Sequence, residues 1–340
     1  MSPSRVGPFA LEQPIAGSSG SLYRAIHVEQ KLAVTVKLFS VPFGVGDATK
    51  NAFASEASTL KTMKHPNIVR CYGGAIATDQ AYLAHEFIEG ETLAELLEKR
   101  GRLLWEQVVD IASQISAGLE FAHERKIVHA AIAPDKILIT SSGQVKIADF
   151  RIQRHGGLNP PVSLTMDRVA YLAPEQVTPN GAITERTDVY VFGCMLFRMI
   201  TGTDPFIAND VKSLAQMHRE VLPLRVTTQA MDCPVWLDKL IEQMLSKDPN
   251  SRPYTAAAVR LALEETQKNI ADGRGVAEHA ARGVSALRMG QDREEARNVL
   301  GRTKKKKDRK KRKQSDAPFY ESVGFLVGAL ITLTVVVGIL

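Results

Sequence analysis

The stretch His129-Ala130-Ala131-Ile132-Ala133-Pro134-Asp135-Lys136-Ile137-Leu138 decides how this 340-residue chain is read. Upstream of it, Leu104, Val108, Ile111, Ile115, Leu119 and Ala122 step by three and four. That spacing predicts one apolar face of a long helix. Downstream, residues 137–140 and 145–147 read as two short strands around Ser141-Ser142-Gly143. Next comes Ile147-Ala148-Asp149-Phe150-Arg151, opening a long loop, 149–175, with Gly156-Gly157 and Pro160-Pro161.

Farther out, the pattern divides in two. Residues 9–16, 21–27 and 32–40 are strand-like and joined by glycine-containing turns. Residues 52–63 predict a helix, stopped by His65-Pro66, and two more strands are expected at 69–74 and 81–87. From Glu91 the pattern turns helical, with further helices expected at 188–200, about 209–219, 236–245 and 255–263. Residues 268–301 predict a helical appendage, in which Asp292 and Glu295 form a capping box for the second helix.

In order and spacing, residues 9–264 resemble a bacterial or eukaryotic-type Ser/Thr protein kinase domain, about three quarters of the chain. Ile15-Ala16-Gly17-Ser18-Ser19-Gly20-Ser21-Leu22-Tyr23 is similar to the Gly-rich loop, with Ile15 replacing the first glycine. Glycines there let backbone N–H groups close over phosphates without a Cβ in the way. Val34-Thr35-Val36-Lys37 resembles the third-strand motif, and Glu56 falls where a helix glutamate pairs with that lysine. Ala81 to Gly90 resembles the strand into the hinge, with His85 at the gatekeeper: either a satisfied core histidine or a residue that tunes the back pocket. Ala173-Pro174-Glu175, Arg252-Pro253 and Asp188 match structural anchors of the large lobe.

The resemblance implies an α+β, bilobal protein kinase fold: a small antiparallel β-rich lobe with one helix (9–87) and a large, mainly helical lobe (91–264). It implies ATP as cofactor, held by Gly17, Gly20, Leu22, Thr35, Lys37, Glu56, Glu86, Ile88 and Leu138. Asp149, in the Asp-Phe-Gly-like segment, is the implied Mg²⁺ ligand. Phe150, Leu60 and His129 are expected to stack as an apolar column between the lobes, and Arg151 replaces the hinge glycine.

The chemistry-bearing residues of the opening string depart from the family. Ala131 stands at the position of the aspartate that accepts the substrate hydroxyl's proton, Ala133 at the phosphate-facing lysine, and Lys136 at the metal-binding asparagine. Ala130 replaces the arginine that reads a loop phosphate, and Arg168 replaces a threonine that bonds the missing aspartate. Lys136 is a cation and cannot act as a base. A general base contributes roughly 10²–10⁴-fold in rate, and the phosphate and metal groups add to that. The expectation is a pseudokinase: a domain that binds ATP and acts by shape on an unidentified protein partner. The alternatives are a weak or atypical Ser/Thr kinase and a scaffold that holds no nucleotide.

Bulk properties fit one globular, two-lobed domain with extras: 44% of residues are apolar and 24% charged. Cys71, Cys194 and Cys233 are scattered, which predicts buried, reduced thiols and no zinc site. Of the net charge of +6, residues 304–313 alone carry +8, leaving the rest of the chain at −2. A nucleic-acid-binding domain is therefore not indicated. Residues 302–321 read as a basic juxtamembrane linker, and the run within it is suited to anionic lipid. Residues 323–340 contain no charge, and as a helix they would reach about 27 Å, close to a bilayer core of about 30 Å. A buried core helix is the alternative. The missing polar stripe and the preceding basic run favour a membrane helix over 322–340, with the kinase-like domain on the cytoplasmic side.

Overall fold

Antiparallel pairing of six strands builds the first lobe. In chain order its elements are β1 (Arg5–Val6), β2 (Phe9–Pro14), β3 (Leu22–His27), β4 (Ala33–Ser40), α1 (Asp47–Thr62), β5 (Cys71–Ile76) and β6 (Gln80–Glu86). The sheet order is β1-β2-β3-β4-β6-β5. This computed structural model describes residues 5–15, 21–40, 46–76, 80–150 and 165–271, all within the unit Met1–Gln291.

Register decides what each face of the sheet does. Leu11 lies opposite Ala25, Ala25 opposite Val34, and Val36 opposite Ala84. Directly opposed residues share a face, so these pack with Val6 and Phe9 into a small core of their own. The other face carries Leu22, Thr35, Lys37, Leu83 and His85. Against it lies α1, whose buried residues Phe53, Glu56, Ala57 and Leu60 form one stripe. The helix begins five residues before the expected start, with Asp47 in its first turn, where a carboxylate suits the helix dipole.

The second lobe opens with β7 (Gly90–Thr92) and α2 (Leu93–Arg100), which the sequence pattern had not separated. A reciprocal capping box between Thr92 and Glu95 starts α2. Then follow α3 (Trp105–His123), β8 (Ile137–Thr140), β9 (Val145–Ile147), α4 (Met166–Val169), α5 (Glu185–Thr201), α6 (Val211–Glu220), α7 (Val226–Gln229), α8 (Val235–Met244) and α9 (Ala256–Ala271). Strands β7, β8 and β9 form a second sheet in that order.

Helix α5 is buried all round from Thr187 to Phe197, as its apolar run from Val189 to Phe197 requires, and Arg198 is only half-buried. It crosses α8 closely: a Cβ on Gly193 would meet the Met244 Cβ at 2.9 Å. Around it pack Ile115 and Leu119 of α3 and Trp236, Leu240 and Ile241 of α8. All three cysteines are free and buried.

Three expectations need correction. The loop at 149–175 is not structureless throughout, since α4 and a 3-10 turn at Pro174–Gln176 fall within it. Leu104 does not join the buried face of α3; it is the N-cap and is exposed. The last helix runs on to Ala271, so the expected boundaries at 264 and 268 fall inside it. The rest of the expected appendage, the basic linker 302–321 and the apolar segment 322–340 lie outside the described residues. Among the described residues, no helix is long and apolar enough to cross a membrane.

Candidate functional site

The cleft is built where the sheet face that carries Thr35 and Lys37 meets β8, β9 and the loops that follow them. Strand alternation puts Thr35 and Lys37 on the same side of β4, with Leu22 opposite Lys37 and His85 opposite Thr35. Lys37 crosses to the other side of the cleft, and its Nζ contacts Asp149 Oδ1. The lysine expected to meet Glu56 thus also reaches the carboxylate at the metal position. Glu56 itself is 7% exposed, on the buried stripe of α1.

The hinge is fastened by a side chain. The Glu86 carboxylate accepts from Lys146 Nζ at 2.7 Å and from the Arg70 N–H at 2.9 Å. The Glu86 N–H returns a bond to the Arg70 carbonyl at 2.9 Å. Two segments that the sequence reading did not connect, β9 and the approach to β5, are thereby tied to residue 86. Just beyond it, the N–H of Ile88 has no hydrogen-bond partner among the described residues. Leu138 lies half-buried on β8, opposite Thr92 and Lys146. An apolar wall (Leu22, Leu138), a free backbone donor and a cation fit a purine nucleotide, with Lys37 toward the phosphates.

His85 is enclosed in the back of the cleft, and burial pushes its imidazole down to about 4, with Lys37 adding to the effect and Asp149 opposing it. Together with Leu60, Met63, Ile68, Val69, Cys71, Asp149 and Phe150, it lines a small internal cavity. The expected column is present: Phe150 stacks on His129 with ring centroids 4.6 Å apart, and Leu60 lies by Phe150 at the cavity. Cys71 joins it, and in sequence it reads as no more than a small apolar residue on a strand. Burial pushes the Cys71 thiol up to about 11, so it is an inert wall.

The opening string keeps its shape through backbone bonds. Asp188, fully buried on α5, accepts from the His129 N–H at 2.8 Å and the Ala130 N–H at 2.7 Å, and contacts His123 Nε2 at 2.8 Å. His129 Nε2 bonds the Ala148 carbonyl at 2.9 Å, coupling the string to the segment that carries Asp149. Ala130 adopts φ +56°, a strained conformation for a residue with a Cβ, and Asp149 adopts φ +64°. Gln176 Nε2 donates to the Ala130 carbonyl at 2.7 Å, a brace the sequence reading missed.

Within this frame the side chains are short. Ala131 is exposed and Ala133 half-buried. Lys136 ends a 3-10 turn, and its Nζ lies 2.5 Å from Asp135 Oδ2. Its carbonyl accepts from the Ala148 N–H at 2.8 Å, so residue 136 stands beside the segment that presents Asp149. Among the described residues, no group of three or more His, Cys, Asp or Glu is arranged to hold a metal ion. At the two positions that the family resemblance assigns to Mg²⁺, Asp149 keeps its carboxylate, in contact with Lys37, and Lys136 brings a cation; these two residues do not fit a resident ion on their own. Arg168 is exposed on α4. Gly17, Gly20 and Arg151 lie outside the described residues.

The large-lobe anchors meet as expected. Glu175 and Arg252 form a bidentate, buried pair at 2.8 and 2.9 Å, and Thr187 Oγ1 donates to the same carboxylate at 2.8 Å. Burial alone would raise the Glu175 pKa, but the Arg252 bonds outweigh it and hold the carboxyl below its usual range.

Comparison with known proteins agrees with this geometry. The protein kinase domain family matches residues 15–262. Relatives include a probable serine/threonine-protein kinase of Clostridium acetobutylicum, 29% identical over 77% of this chain and 40% of its own length. The serine/threonine-protein kinase PknB of Mycobacterium leprae is 28% identical over 73% of this chain and 41% of its own length. PrkC of Bacillus subtilis is 28% identical over 74% and 40%. The matched stretch thus spans about two fifths of these relatives. With its two lobes, its lysine-to-aspartate contact across the cleft and its buried anchors, the chain belongs to the protein kinase superfamily.

Proposed function

We propose that this chain is a pseudokinase that binds ATP in the cleft and acts as a signalling scaffold or allosteric partner. One observation carries the reading: Ala131 stands exposed at the base position in a loop whose backbone is otherwise held in place by Asp188 and His129. Loss of the fold would have loosened both; here the backbone frame is kept while Ala131, Ala133 and Lys136 stand at the positions of the reacting groups. ATP, bridging Leu22 and Leu138 to Lys37, biases closure of the two lobes and thereby the surface offered to a partner. Placement at a membrane by residues 322–340, with the basic run 304–313 against anionic lipid, is part of the same proposal.

A second reading, a weak or atypical Ser/Thr kinase, is favoured by the relatives, which are named as serine/threonine-protein kinases. It is also favoured by the Lys37–Asp149 contact, the part of the apparatus that grips nucleotide. Phosphate incorporation from labelled ATP separates the two. The pseudokinase reading expects none above that of Lys37→Ala. It also expects a gain of roughly 10²–10⁴-fold when Ala131→Asp, Ala133→Lys and Lys136→Asn are combined. Clear incorporation by the unmodified chain that disappears in Lys37→Ala overturns it in favour of the kinase.

A further inference from the structure

We infer that the cleft takes its nucleotide without a divalent cation, Lys136 supplying the positive charge that a metal would bring to the phosphates. This deepens the ATP reading above and rests on it.

Three observations converge. First, of the positions that the family resemblance assigns to metal, Asp149 alone among the described residues carries a carboxylate, and it is in contact with the Lys37 ammonium. Mg²⁺ needs near-octahedral oxygen ligands at about 2.0–2.1 Å, and the Lys37 ammonium on Oδ1 of the same carboxylate competes with it for that group. Second, the backbone fixes where Lys136 stands. The 3-10 turn Pro134–Lys136 and the 2.8 Å bond from the Ala148 N–H to the Lys136 carbonyl set it beside the Asp149 segment. Third, the Lys136 side chain is 28% exposed, and its present anion is Asp135, itself 57% exposed and on the next residue. An exposed neighbour in water is a weak partner. A triphosphate, carrying several negative charges, is a stronger one for a flexible four-carbon cation.

The charges then sort themselves. Before ligand arrives each lysine has a carboxylate beside it, Asp149 for Lys37 and Asp135 for Lys136, so an incoming triphosphate competes for two ammonium groups. An ion lodged near residue 136 meets a like charge, where an asparagine would offer it an oxygen. Free ATP satisfies both lysines, and Asp149 remains paired to Lys37.

The test is ATP binding to the full chain in detergent, followed by thermal shift and by calorimetry, with EDTA and with Mg²⁺. The inference expects binding in EDTA at least as tight as with Mg²⁺. It expects Lys136→Asn to weaken binding in EDTA by about tenfold, the loss of one charged hydrogen bond, with Mg²⁺ restoring part of it. Lys136→Gln serves as a second neutral variant, and the ligand-free melting temperature of each checks folding. Wild-type binding that requires Mg²⁺, or Lys136 variants that bind normally in EDTA, overturns the inference and leaves the ATP reading standing. No binding under either condition overturns both.

Discussion

Asp188 shows how much one residue can hold. Its two oxygens serve two backbone N–H groups and one imidazole in a fully buried setting. Removing an acceptor there leaves each donor unsatisfied, at about 1–3 kcal/mol apiece. Asp188→Ala is expected to lower stability by about 3 kcal/mol or more and to release the strained φ at Ala130. Urea unfolding measures the first, and hydrogen exchange at residues 129–131 the second. An unchanged unfolding midpoint would contradict the role given to Asp188. At this scale the sequence was informative about which residues are missing, because identity is what a sequence records. It could not show that Ala131 faces solvent or that Gln176 braces Ala130, since both follow from how distant loops are placed.

At the scale of elements, periodicity read well. The strands at 137–140 and 145–147 were found at their observed bounds, and the helices around α3, α5, α6 and α8 within a few residues. The misses were short pieces. Strands β1 and β7 have two and three residues, too few for alternation to register, and α4 and α7 are single turns. Element ends are tied by ion pairs whose partners lie far apart in sequence. The Glu175–Arg252 pair pins the turn after α4 to the approach to α9, with both side chains almost fully buried. Arg252→Ala strands the Glu175 carboxylate in a low-dielectric site, with an expected loss of about 3–5 kcal/mol. Arg252→Lys, which cannot bind both oxygens at once, is expected to fall between. Chemical denaturation of the two variants beside wild type ranks them, and equal midpoints would argue against the pair as an anchor.

For the whole molecule, acid is the informative stress. Burial pushes His218 down to about 3, with Lys247 adding to the effect, and His85 down to about 4. Each imidazole takes up a proton more readily in the unfolded chain, at about 6.5. The stability they allow is full above about pH 6.5 and is lost as pH falls toward 4 and 3, at up to about 1.4 kcal/mol per unit for each. The urea midpoint should therefore drop between pH 7 and pH 5, with a shallower drop in His218→Gln. A midpoint independent of pH over that range would show these histidines to be solvated. The membrane proposal belongs to the same scale. Deleting residues 322–340 is expected to move the protein from a salt-resistant membrane fraction to the soluble one, and a full chain that fractionates as soluble would refute it.

The sequence by itself determined the order of the longer elements, the turn from strand to helix pattern near residue 90 and the identity of the residues standing at 131, 133 and 136. These are local properties: side-chain period is set over two to four residues, and a substitution is visible wherever its neighbours mark its place. Only the tertiary structure decided which charge answers which. Lys37 finds Asp149 across 112 positions, Lys146 finds Glu86 across 60, and Arg252 finds Glu175 across 77. Coulomb attraction and hydrogen bonding fall off with distance in space rather than along the chain. The partners of the cleft therefore exist only once two sheets and α5 have set them side by side.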